Sequence, residues 1–292
     1  MLRHHWKLLT GCCTILLVTA SVPGPLNANH SWGGYHWNGE SLPVNLDVGN
    51  NLTNQWTDHL TDAVSDWNDP SGGATQSVNL IVGPGGTNPA TCDPNLGRIE
   101  VCNSEYGDNG WLGLAQVWVY RGRDKHIAQA TSLLNDTYFD NPSYDYDTWD
   151  WRQMVVCQEI AHDFGLDHQD ENFWNPNLGT CMDYTAVPEG NDTFGPANTS
   201  PNQHDYDQLQ DNYAHLVGGS GPGGGGGGGG GRGRGSLPQD GLLPALPDQA
   251  LQRVPIDSPG AWGQLIRDTG RFSLYELDLG NGWALFTFVT WA

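Results

Sequence analysis

Eleven residues, Gln158-Glu159-Ile160-Ala161-His162-Asp163-Phe164-Gly165-Leu166-Asp167-His168, constrain what this chain can fold into more than any other stretch. Residues four apart share one face of a helix, so Gln158 and His162 point the same way. Glu159 lies one step round, where a carboxylate can take a proton from a water held beside that face. Gly165 has no Cβ and can leave the helix in a left-handed conformation, which turns the chain and brings His168 back toward the other two. The spacing therefore encodes a helix, a glycine turn and a return, with three metal-ligating candidates aimed at one point.

The stretch matches H-E-x-x-H-x-x-G-x-x-H with glutamine in place of the first histidine, and Cys181-Met182-Asp183-Tyr184 follows at a distance suited to a Met-turn. On these two linked motifs the chain resembles the metzincin clan of zinc endopeptidases, and within it the matrixin-like members. The resemblance implies an α+β fold: a twisted mixed sheet with an active-site helix, a Met-turn and a C-terminal helix. It also implies a zinc-dependent metalloendopeptidase acting on a protein or peptide substrate. Zn2+ would be held by His162, His168 and Gln158, Glu159 would deprotonate the zinc-activated water, and Met182 would lie beneath the metal. Tyr184 stands where some members place a catalytic tyrosine near the metal or the reacting oxyanion; a packed core tyrosine is the competing reading. The alternative for the whole chain is a secreted metzincin-fold binding or structural protein, catalytically weak or inactive.

The departure at Gln158 decides between these. An amide oxygen is a weaker donor to zinc than an imidazole nitrogen. Changes outside the ligand set alone cost roughly 10–100-fold in affinity or activity, so losing an imidazole costs at least that. Gln158 ligates through its oxygen, a water takes the position, or the site stays empty; the residues alone leave all three open.

Residues 1–28 read as a secretory signal peptide, with Arg3 and Lys7 before an apolar run too short to span a membrane. Secretion makes the remaining cysteines interpretable as bridges. Cys92, Cys102, Cys157 and Cys181 allow three full pairings, of which the local pairs are favoured. A Cys157–Cys181 bridge would tie the zinc helix to the Met-turn. With 33 acidic against 12 basic residues, the chain is not a nucleic-acid binder. Five N-x-S/T sequons start at Asn29, Asn51, Asn135, Asn191 and Asn198.

The catalytic-like domain is expected over 29–217. Leu52, Trp56, Leu60, Ala63, Val64 and Trp67 fall on one helical face, and Asp69-Pro70 ends that helix. Strands are expected at 43–48, 78–82, 98–103, 114–120 and 127–134, the zinc helix at 148–164 and a C-terminal helix from Pro201. By the resemblance, 112–119 would be the exposed edge strand on which a peptide substrate adds as one more strand. Asp140, Asn141, Asp145 and Asp147 share the composition of Ca2+ loops, but solvated turn carboxylates fit better. Residues 218–236 are a glycine-rich flexible linker. Residues 237–292 form a small β-rich module, with a hairpin signal at 278–282 between aromatic strands. That module either docks on the main domain or binds an unknown partner.

Overall fold

The computed structural model describes residues 30–70, 73–123, 125–216, 244–247 and 254–292. The expected signal peptide and glycine-rich linker lie outside these residues.

One mixed sheet of nine strands dominates an α+β architecture. In chain order the strands are β1 (His36–Trp37), β2 (Val44–Asn51), β3 (Val78–Pro84), β4 (Arg98–Ser104), β5 (Trp111–Tyr120), β6 (His126–Asn135), β7 (Gln264–Asp268), β8 (Phe272–Gly280) and β9 (Trp283–Trp291). Their spatial order is β3-β2-β4-β6-β5-β9-β8-β7, with the short β1 pairing β6. β2, β3, β4 and β6 run parallel to one another, whereas β5 is antiparallel to β6. From β5 outward every pairing is antiparallel.

The helices are α1 (Asn54–Asn68), α2 (Asp136–Phe139), α3 (Trp149–His162) and α4 (Gln203–Asn212). α1 buries the face read from its spacing, with Trp56, Leu60, Ala63, Val64 and Trp67 inside. Leu52 packs against the same core but precedes the first turn. α3 is buried at every position from Trp151 to His162, and the Thr148 side chain caps its start by accepting from Trp151 N. α4 opens with a capping box between Asn202 and Asp205.

Both faces of the sheet are covered. One core lies between the sheet and α1 and α3, and includes Trp56, Trp67, Val155, Ile160, Met182 and Phe288. The other covers the opposite face with Trp111, Trp118, Trp262, Trp283, Leu285 and Val289. The Cys92–Cys102 and Cys157–Cys181 bridges form as the local pairs, each with Cα atoms 6.0 Å apart. No described helix is long and apolar enough to cross a membrane.

The expectation of an exposed edge at 112–119 is corrected here. β9 adds to β5 along its whole length, pairing Trp111 with Trp291 and Tyr120 with Trp283. The physical reason is that β9 is apolar on both faces, so it needs cover on both and takes an interior place in the sheet. The C-terminal hairpin is thus continuous with the main sheet and not a sheet of its own.

Candidate metal centre

The site is assembled where α3 ends. The helix stops at His162, and the Gly165 backbone then takes a φ of +108°. A Cβ at Gly165 would sit 2.3 Å from the Tyr35 carbonyl oxygen, so conformation and close approach both require glycine. The turn places the Leu166 carbonyl 2.8 Å from His162 Nδ1. A carbonyl can only accept, so Nδ1 carries the proton and Nε2 is left as a lone-pair donor to a ligand. Trp32 and Trp37 donate their indole N–H groups to the His162 and Asp163 carbonyls and hold the turn from the other side.

His168 returns as the spacing requires. Its ring lies edge-on to His162, with centroids 4.8 Å apart. Gln158 is fixed by donating Nε2 to the Cys181 carbonyl at 3.0 Å, which turns Oε1 the other way. Because Cys181 is bridged to Cys157, the helix, the glutamine amide and the Met-turn are tied together. Met182 is fully buried, and its carbonyl accepts from Gln169 N at 2.6 Å.

The electrostatics follow from burial. Gln158, Glu159 and His162 are 0% exposed and His168 is 7% exposed. Desolvation pushes the Glu159 carboxyl up to about 8, against a Thr290 hydrogen bond that pulls it down. Burial, with His168 adding to it, holds His162 well below its ordinary range. Asp163, also buried, lies well above the usual carboxylate range despite a 2.6 Å bond from Ser132 Oγ.

Among the described residues, His162 Nε2, both ring nitrogens of His168 and Glu159 Oε2 are buried at this centre without a hydrogen-bond partner. Buried polar groups are almost always satisfied, so two imidazole rings with unpartnered nitrogens are donors of a kind that fits a borderline metal such as zinc. A second cluster shares His168: ligand atoms of Asp167, His168 and Glu171 lie within 4.8 Å of one another. Its carboxylates already bind a cation of the protein's own, since Arg267 contacts Asp167 at 2.6 Å and Glu171 at 3.0 Å. At the expected calcium-like turn, Asp140 and Asp147 likewise pair with Arg152 at 3.0 and 2.8 Å.

Residues that the motif does not contain complete the centre. Thr290 Oγ1 lies 2.7 Å from Glu159 Oε1 and 3.1 Å from Gln158 Oε1. One hydroxyl proton serves one acceptor at a time, so Gln158 and Glu159 compete for the Thr290 proton. Phe288 stacks on His162 and Phe272 meets His168 edge-on, with centroids 4.3 and 4.2 Å apart. Tyr184 is buried and donates its hydroxyl to the Trp291 carbonyl at 2.6 Å. Only the aromatic, two-sided pattern of 283–291 could have signalled these contacts in the sequence.

A separate hollow of about 500 Å³ is lined by His36, His126 and His215, and none of Gln158, Glu159, His162 or His168 reaches it. Comparison with protein-family models and with curated protein sequences returns no match, so the functional reading rests on the residues themselves.

Proposed function

We propose that this chain is a secreted, metzincin-like zinc metalloendopeptidase with Gln158 in the place of the first histidine ligand. The observation that carries the proposal is the pair of buried Nε2 atoms of His162 and His168, on rings whose centroids are 4.8 Å apart, that have no hydrogen-bond partner among the described residues. His162, His168 and Gln158 Oε1 would hold the ion. Zinc, when bound, supplies Lewis acidity that makes water a nucleophile near neutral pH and polarises a peptide carbonyl.

Every other task falls to the protein. Glu159, once ionised, would receive the proton of the attacking water and pass it to the leaving amine; burial favours its neutral form in the metal-free protein, so this role requires the ion to be bound. The Tyr184 hydroxyl, already bound to a main-chain carbonyl, stabilises charge developing on a carbonyl oxygen. The Cys157–Cys181 bridge keeps the Met182 layer in register with α3.

A second reading, a non-catalytic binding or structural protein, draws on one observation: Thr290 and Phe288 fill the space that water and substrate need. The test uses the full chain with zinc and a broad peptide library. Hydrolysis that is lost in Glu159→Ala and raised in Gln158→His supports the enzyme. Absence of hydrolysis in all three proteins leaves the non-catalytic reading.

A further inference from the structure

We propose that β9 is a resident pseudosubstrate, a strand of the chain that occupies the peptide-binding edge of β5, so that an incoming substrate is an extended, apolar and aromatic segment that replaces it. This rests on the reading of the site as a peptidase and adds to it the state in which the site is held.

Four contacts converge. Thr290 pairs with Gly113 of β5, and a Cβ on Gly113 would lie 2.3 Å from Glu159 Oε1, so this register position lies against the carboxyl. From there the Thr290 hydroxyl reaches both Gln158 and Glu159, as a water between them would. One residue on, the Trp291 carbonyl is gripped by Tyr184, which is the contact a substrate carbonyl would make. Two residues back, Phe288 lies flat on His162 and excludes solvent from the unpartnered nitrogen.

The rest of the C-terminal segment reinforces the occupation. Phe272 of β8 covers His168, and Arg267 of β7 neutralises Asp167 and Glu171 beside it. The antiparallel pairing of β9 on β5 is the geometry of strand addition. In sequence the segment follows the run of glycines between 218 and 235. The outer face of β9 also buries Trp283, Leu285 and Val289 against Trp111, Leu114 and Trp118. Removing the strand without a replacement would expose that surface, so occupation by β9 is tight and exchange favours a competitor of like pattern.

The experiment uses the full chain in two versions, the parent and Phe288→Leu, with Thr290→Val as a milder third. Native-state hydrogen exchange at graded denaturant is expected to show β8 and β9 amides opening at least about tenfold faster than those of β4 and β6, and faster still in both variants. A labelled synthetic peptide of residues 283–292 is expected to bind the variants and to protect β5 amides. Opening of β9 only together with β4 and β6, or no uptake of the peptide by either variant, overturns the proposal. Uptake without hydrolysis of any peptide keeps the occupation and removes the peptidase reading, so the two fail separately.

Discussion

Phe288 lies face to face on His162, with ring centroids 4.3 Å apart and planes inclined by 13°. The contact joins the last strand of the sheet to a candidate ligand at the end of α3, across more than a hundred residues of sequence. Truncation removes a fully buried ring from the main core. Phe288→Ala is therefore expected to cost about 3–5 kcal/mol, read as a lowered urea midpoint at unchanged slope.

The Glu159 carboxyl supplies a pH signature in metal-free protein. Its folded pKa is raised to about 8 from 4.5, so the neutral form is the one that folding favours. That stability is fully present below the unfolded value and is lost as pH rises through about 8. Urea denaturation from pH 5 to pH 9 is expected to show a decline on the order of a few kcal/mol that is smaller in Glu159→Gln, which cannot ionise. Equal slopes in the two proteins would contradict the assignment.

Much of this centre was legible before any coordinates. Gly165 announced the turn because only glycine tolerates a φ of +108° with the Tyr35 carbonyl so close. Trp56, Leu60, Ala63, Val64 and Trp67 announced α1 because burial on one helical face follows the 3.6-residue period. The local cysteine pairs, favoured among three possible pairings, are the ones that form. What could not be read was the partner of β9. Periodicity reports which faces of a strand are buried but not which neighbour it pairs with. Trp283, Leu285 and Val289 join one core and Phe286 and Phe288 the other, a two-sided burial that the sequence reading of a hairpin with aromatic strands did not include. An interior strand needs two neighbours, and β5 had a free edge to offer.

The Cys157–Cys181 bridge closes a loop that contains His162 and His168 and holds the carbonyl that orients Gln158. Replacing both cysteines by alanine is expected to cost about 2–5 kcal/mol in chemical denaturation. It is also expected to weaken zinc binding, because the Cys181 carbonyl no longer fixes the amide. Loss of stability with zinc affinity intact would show that the bridge serves the fold alone.

Gly165→Ala forces a side chain into a left-handed turn against the Tyr35 carbonyl. The backbone strain alone costs about 1–3 kcal/mol. The turn also carries the Leu166 carbonyl that sets the His162 tautomer, so metal affinity is expected to fall with stability. Thermal unfolding and zinc competition on the same variant check both.

Zinc affinity of the metal-free full chain, measured by competition with a chelating dye at equilibrium, tests the site most directly. A centre at His162, His168 and Gln158 predicts one zinc per chain, lost in His162→Ala and tightened by about 10–100-fold in Gln158→His, with Glu171→Gln unchanged. No zinc uptake by either the parent or Gln158→His, or uptake that depends on Glu171 and not on His162, would contradict it.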